Sequence, residues 1–400
     1  VLSLEEAQSA IVDGLVKADE TESVVLAQAH RRYLAQTLNA QVDNPAFDNS
    51  AMDGYAVNTE QLVNSQFRLK RVGESSAGDV PGTLSTNTTM RIFTGAPVPA
   101  GADAVVIQED VHVDGDHIIF PHTVQPGQNI RTRGQDFREG EVLLSPGRLL
   151  SAFDVALLSA AGVSSMSVYR RPRVLVIATG DELVAPGAPL KPGQIYESNR
   201  QATLLLVEHA GAEAIDGGTV ADDPDAVREA LKNSTEYDFV ITSGGVSVGD
   251  YDLVKRVFAQ IGDINFWKVR IKPGKPVAFG HLGGRTNFFG LPGNPVSSLV
   301  TFFLFVRPAL AAWHHATTAP LQLVANATRD YHRHAGRTEF LRAHLAHDNG
   351  QLQVTPLPGQ GSHMLGTLRQ TNALIRLEHD LEGFAAGDTV PVLPLSIDIS

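Results

Sequence analysis

At 400 residues the chain is too long for one core of ordinary size, and its 43% hydrophobic and 19% charged residues exclude wholesale disorder, so about two to four folded domains are expected. A net charge of −12 argues against nucleic acid or an anionic membrane as general partners, because both demand a basic footprint. With no cysteine, disulfides, thiolate catalysis and cysteine-ligated zinc or iron–sulfur sites are excluded, which fits a cytoplasmic protein.

The opening "VLSLEEAQSA" carries early acids and a helical period, so it reads as a trimmed mature start and not as a signal peptide. Leu4 to Leu38 is predicted as helix, with Ser3 as cap and Glu6 completing a capping box. After the turn-rich "AQVDNPAFDNSAMDGYAV", the runs "FRLKRVG", "TTMRIFTG", "ADAVVIQ" and "HIIFPHTV" predict a small inserted β domain over 46–138. "SAFDVALLSAAGV" predicts a helix closed by Gly162 that packs on the first helix, making 1–45 and 139–170 a discontinuous, helical or mixed N-terminal domain.

From Arg173 strands alternate with helices: "RVLVIATG", "NRQATLLLVEHAG", "AEAIDGGTV", "DDPDAVREALKN", "YDFVITSGG" and "YDLVKRVFAQIG". That rhythm predicts an α/β domain with a parallel sheet over 171–316. The apolar run Val296 to Trp313 holds Ser297, Ser298, Arg307 and Pro308, falls short of about 20 clean apolar residues, and reads as a buried helix. "LQLVANAT", "TEFLRAHLA", "LQVTPL", "ALIRLE" and "TVPVLPL" predict a closing β domain or barrel over 317–400. The expected fold class is therefore α/β plus β.

Ligands of open parallel sheets sit beyond the carboxyl ends of the strands. Three such ends carry acids: "ATGDEL" with Glu182, "ADDPD" with Asp222 and Asp223, and "TSGGVSVGDYD" with Asp250 and Asp252. Singly, each fits plain helix capping, and the paired glycines fit a need for positive φ. Together, Glu182, Asp222 and Asp252 on one rim repel one another unless a cation sits there, for which a hard, oxygen-seeking ion such as Mg²⁺ is the natural candidate. The stretch Gly244, Gly245 and Ser247, leading into a helix, could cradle a phosphate.

In "FWKVRIKPGKPVAFG", Lys268, Arg270 and Lys272 share one face if the segment is a strand, and Pro273-Gly274 presents Lys275 on a rigid turn. An edge strand guarded by lysine is the plainer alternative. In "FFGLPGNPVSSL", Ser297 opens a helix and is compatible with either an anion contact or a cap. The β region holds Asp48, Asp53, Thr94, Arg131, Arg133 and Asp136, which turn chemistry alone could explain. Walker and HExxH motifs are absent, and the histidines at 314 and 315 do not read as metal ligands.

Taken in order, "FDNSAMDGYAV", "TGAPVP", "NIRTRGQD", "ATGDEL", "GQIYESN", "TSGGVSVGDYD", "IKPGKP", "GLPGNPVS" and "GQGSH" resemble the molybdopterin molybdenumtransferases, the MoeA family, and the E domain of gephyrin. The resemblance implies conversion of adenylylated molybdopterin and molybdate to molybdenum cofactor with release of AMP and participation of Mg²⁺. It implies site roles for Asp53, Thr94 and Asp136 from the β region, for Glu182, Asp222 and Asp252, and for Lys268 and Lys272. Lys275, Ser297, Arg342 and Ser362 would take molybdate. It further implies a homodimer whose site is shared between chains, with handover partners in cofactor synthesis. A molybdopterin adenylyltransferase-like nucleotidyl transfer and a gephyrin-like scaffold are the rival readings.

Overall fold

The computed structural model describes residues 1–17, 19–244, 257, 260–316, 321–348 and 350–395, which fall into two compact units, Val1–Glu22 with Tyr169–Ser400, and Ser23–Val168. The predicted helix "YDLVKRVFAQIG" lies almost wholly outside the described residues.

In the unit Ser23–Val168, a six-stranded sheet runs in the order Ala104–Ile107, Gly54–Val57, Thr88–Ile92, Arg68–Ser75, His117–Ile119, His112–Asp114. Gly54–Val57 is buried along its length because both faces are covered. Tyr55, Val57, Val106 and Ile118 pack on one side, and Ala56, Ile92 and Val105 on the other, following the period of two. The flanking segments share a separate core built from Leu34, Leu38, Phe137, Leu158 and Val168.

The helix expected over Leu4 to Leu38 is shorter. It spans Leu4–Gly14, starts at the predicted capping box, and gives way to an extended Thr21–Val25 and a 3₁₀ turn Leu26–Gln28. The apolar stripe Leu4, Ala7, Ile11 stops at that point, and the β-branched Val24 and Val25 favour strand. A second correction concerns its packing. Leu4, Ala7 and Ile11 join the core under the α/β sheet, whereas the helix Ala152–Ala160 packs on the 3₁₀ turn.

The larger unit is built on a sheet ordered Glu213–Val220, Arg173–Thr179, Phe239–Ser243, Thr286–Leu291, Pro276–Leu282, Gly262–Lys268. Its first four strands are parallel, as expected. Pro276–Leu282 is antiparallel to both neighbours, because the turn at Gly283 and Gly284 (φ +55° and +72°) sends the chain straight back instead of through a crossover. Val174, Val176, Phe239 and Ile241 face one layer, and Leu175, Ile177 and Val240 the other.

Pro295–Trp313 is the buried helix anticipated from sequence. It is long and apolar enough to cross a membrane by composition, yet mostly buried against the sheet, and it passes through one π-helical segment, Phe302–Val306. Beyond it, Leu323–Ala327, Thr338–Asp348, Gln351–Pro356, Ala373–Leu377 and Thr389–Pro394 close into a five-stranded barrel, since Thr338–Asp348 pairs with Gln351–Pro356 on one side and Ala373–Leu377 on the other.

The chain after the first helix is held by a buried amide. Asn287 accepts from the Val16 N–H and donates to the Val16 carbonyl, both at 2.9 Å, imitating a backbone pair within the core. Asn287→Ala strands both backbone groups of Val16 and should cost about 2–3 kcal/mol in denaturant unfolding. A loss below about 0.5 kcal/mol would show that water replaces the amide without penalty.

Candidate functional site

Thr179, Val220, Ser243 and Leu291 end on one edge of the sheet because the parallel registers align them. A cavity of about 640 Å³ opens there. Thr179, Glu182, Asp222, Ser243 and Gly244 line it from the strand ends, and residues 292–295 and Ser297 line it from the start of the long helix. Gly244 has φ +96°, and a Cβ there would lie 2.6 Å from the Thr179 carbonyl oxygen, so only glycine lets these two strand ends meet. Gly245, Ser247, Asp250 and Asp252 lie outside the described residues.

The adjacent acids Asp222 and Asp223 are separated in role. Asp223 caps the helix Pro224–Ala230, accepting from the N–H groups of Asp225 and Ala226 at 3.0 and 2.9 Å. Asp222 is left to the cavity, and its N–H donates to Asp181 Oδ1 at 3.1 Å. Burial, then the charges of Asp181 and Glu182, push the Asp222 carboxyl above its usual range. Among the described residues no three His, Asp or Glu side chains form a ready-made metal cage. Two carboxylates completed by ligand oxygens and water suit Mg²⁺, and the mutual repulsion at this rim fits a cation there.

Several lining residues escaped the sequence reading. Leu183–Val184 pairs in parallel with Ile195–Tyr196, bringing Leu183, Ile195 and Tyr196 to the cavity wall. Asn199 donates to the Gly293 carbonyl at 2.7 Å, and buried Glu197 accepts from the Arg200 N–H at 2.7 Å while its Oε2 has no hydrogen-bond partner. The motif "GQIYESN" was the available signal, but nothing in its spacing singles out a side chain. His363 and Leu365 also line the cavity, beside the predicted Ser362.

Lys268, Arg270 and Lys272 do alternate with buried Val269 and Ile271, but not on one strand. Lys268 ends Gly262–Lys268 in the α/β sheet opposite Pro276, whereas Ile271–Lys272 joins the barrel, parallel to Thr338–Asp348. Lys268, Lys272 and Lys275 are not among the cavity-lining residues. The Lys275 turn nonetheless packs on the long helix. At Gly274 (φ +99°) a Cβ would come within 2.4 Å of Thr301 Cγ2 and 3.7 Å of the Ser297 carbonyl oxygen.

Arg342 is 1% exposed. Its Nη2 donates to the carbonyls of Gly359 and Gly361 at 2.6 and 3.1 Å, while Nε and Nη1 are buried without partners. Burial alone lowers its pKa. The same loop reaches the long helix, where the Val296 N–H donates to the Ser362 carbonyl at 3.1 Å next to buried Ser297. Arg342, Ser362 and Ser297 are thus tied to one loop and one helix start.

In the unit Ser23–Val168, Asp53 and Thr94 meet directly. Asp53 Oδ1 accepts from both the N–H and the hydroxyl of Thr94 at 2.8 Å. These bonds, chiefly the backbone one, hold the Asp53 carboxyl below its ordinary range, so it stays ionised. Asp136 accepts from Asn44 at 2.9 Å in a separate cavity of about 510 Å³ shared with Asn49, Arg131 and Gln135. Asp48 accepts from the Arg133 N–H at 2.7 Å, the turn role first expected of it.

Three family models match in succession: the MoeA N-terminal region (domains I and II) over residues 2–162, a probable molybdopterin binding domain over 175–312, and the MoeA C-terminal region (domain IV) over 324–395. The molybdopterin molybdenumtransferase of Haemophilus influenzae is 39% identical over 99% of both chains. That of Bacillus subtilis is 36% identical, covering 94% of this chain and 90% of its own. A crystal structure of the MoeA molybdopterin biosynthesis protein from Pyrococcus horikoshii superposes with a TM-score of 0.84 at 32% identity, covering 98% of this chain and 100% of its own. With domain models in the same order and full-length relatives at this identity, the chain belongs to the MoeA family.

Proposed function

We propose that the protein is a molybdenum transferase of cofactor biosynthesis, inserting molybdate into adenylylated molybdopterin to give molybdenum cofactor and AMP. The observation that carries this reading is Arg342, a buried guanidinium that has no acid to neutralise it, and no partner for Nε and Nη1, among the described residues. A buried cation of this kind calls for an anion, and a tetrahedral dianion such as molybdate suits its planar fork together with Ser297, Ser362 and Lys275. The pterin supplies its own sulfurs, so a chain without cysteine is no obstacle.

The phosphates of the substrate would rest on the Gly244 backbone, with Lys268 and Lys272 opposing their charge. Glu182 and Asp222 would hold Mg²⁺, which when bound polarises the P–O bond to be broken. We further propose a cytoplasmic homodimer in which Asp53, Thr94 and Asp136 serve a site shared with a second chain. Nucleotidyl transfer from ATP is the rival chemistry, and the Arg342 niche in the barrel strand gives it no role.

The decisive assay mixes purified protein with adenylylated molybdopterin, Mg²⁺ and molybdate and follows AMP. Asp222→Ala should slow release by on the order of 10²-fold, and undiminished release contradicts the assignment. Lys275→Ala should weaken molybdate binding about tenfold, whereas unchanged affinity removes that lysine from the anion site.

The rim acids also make a pH prediction for metal-free protein. A carboxyl whose folded pKa is raised costs stability when ionised. That cost is absent below the ordinary carboxylate range, where both states are protonated, and complete above the raised value. Asp222→Asn in chelator should therefore melt higher than the parent chain at pH 7, with the gap closing as pH falls toward about 4. A lower melting temperature at pH 7 would show that Asp222 is stabilised by contacts and not strained by its neighbours.

A further inference from the structure

Lys272 stands where the chain leaves the α/β sheet for the barrel, in ladder register with Glu339. Its Nζ lies 2.7 Å from Glu339 Oε1, with side-chain exposures of 44% for the lysine and 2% for the glutamate. The carboxylate is therefore the fixed partner. The ammonium has three donors, of which this contact uses one.

Glu339 is itself held from behind. The Tyr331 hydroxyl donates to Oε1 at 3.2 Å, and Arg333 Nη1 stands 3.8 Å from Oε2, which has no hydrogen-bond partner. Arg333 donates instead to the carbonyls of Leu381, Arg337 and Glu378, which lock its place, so toward Glu339 it acts by charge. Burial, then the charge of Glu339, raises the Tyr331 pKa to about 12, so its hydroxyl stays a neutral donor. Arg333 offsets Glu339, and the group keeps the positive charge of Lys272. An ion pair built only for stability has little need of this second cation, since buried pairs return little beyond their desolvation cost.

We propose that Glu339 is the positioning residue for Lys272: backed by Tyr331 and Arg333, it aims the ammonium at a tetrahedral oxyanion of the substrate without cancelling its charge. The proposal rests on the reading of Lys272 as an oxyanion ligand. The oxyanion has two possible sources, molybdate and the adenylate phosphate.

The test measures binding of molybdate and, with Mg²⁺, of AMP to the full chain and to Lys272→Ala, Glu339→Gln and the double variant. Lys272→Ala and Glu339→Gln should each weaken the same probe about tenfold, and the double variant should be no weaker than Lys272→Ala. The probe affected identifies the source. Glu339→Asp keeps the carboxylate on a shorter stem and should recover part of the affinity that Glu339→Gln loses. A purely structural role would not link recovery of the probe to the carboxylate. Should Glu339→Gln not fold, Tyr331→Phe keeps the charge, loosens the carboxylate, and should weaken the same probe by a smaller factor.

Parent-like binding by the folded Glu339 variant, or by Tyr331→Phe in its place, overturns the positioning role if Lys272→Ala is weakened. Parent-like binding of both probes by Lys272→Ala overturns the oxyanion reading of Lys272 and the proposal with it.

Discussion

Parallel backbone pairing of Arg173–Thr179 with Glu213–Val220 and Phe239–Ser243, continued to Thr286–Leu291, is the constraint on which the site depends. The helical crossovers between the first strands, and the hairpin at Gly283–Gly284 that leads into Thr286–Leu291, start all four strands from the same edge, so the loops after them must leave from the other. The cost of forming that edge is met by apolar layers on both faces of the sheet, well away from the polar residues it presents. Glu182, Asp222 and Gly244 are neighbours because of hydrogen bonds made several residues earlier. Burial, and then the charges of Asp181 and Glu182, raise the Asp222 carboxyl, so nothing in their own interactions draws these acids together.

The basic side of the proposed site is organised differently. Its cations are placed individually, Lys275 by a turn that only glycine lets pack on the long helix, and Arg342 by two carbonyls of a loop whose end touches the same helix. Arg342 has no counter-charge among the described residues, while Lys272 has one that is offset by a second cation. The Asp222 rim and the loop that holds Arg342 both reach the start of Pro295–Trp313, where the Val296 N–H is taken by the Ser362 carbonyl.

Much of this arrangement was legible from residue order. The alternation of apolar strands with amphipathic helices located the sheet edge, and Asp223-Pro224 announced a cap that the structure bears out. Lys268, Arg270 and Lys272 also kept their outward alternation with Val269 and Ile271. What stayed hidden depends on which strand pairs with which. Nothing local reveals that the lysine segment changes sheets at Val269, so Glu339, whose importance comes from lying beside Lys272, went unnoticed. The helix read through to Leu38 failed for a related reason: what holds the chain after Gly14 is Asn287, a remote residue in a strand. Tyr196 reaches the cavity through a two-stranded ribbon too short to carry a period, and Asn199 from the start of the helix that follows.

The passage of one continuous segment from the α/β sheet to the barrel also bears on modularity. Family matches divide the chain into separable stretches, and the sheet with its helices looks like a unit that could be moved between proteins. Ile271–Lys272 pairs with the barrel, and Ile271 is at the same time part of the core beneath the sheet. Cutting the chain after residue 316 would leave the backbone of Ile271–Lys272 without its ladder and Lys272 without Glu339. The smallest fragment that retains the chemistry of this edge therefore includes the barrel. Recombination that treats the two as independent cassettes would transplant a sheet whose basic turn has lost its support.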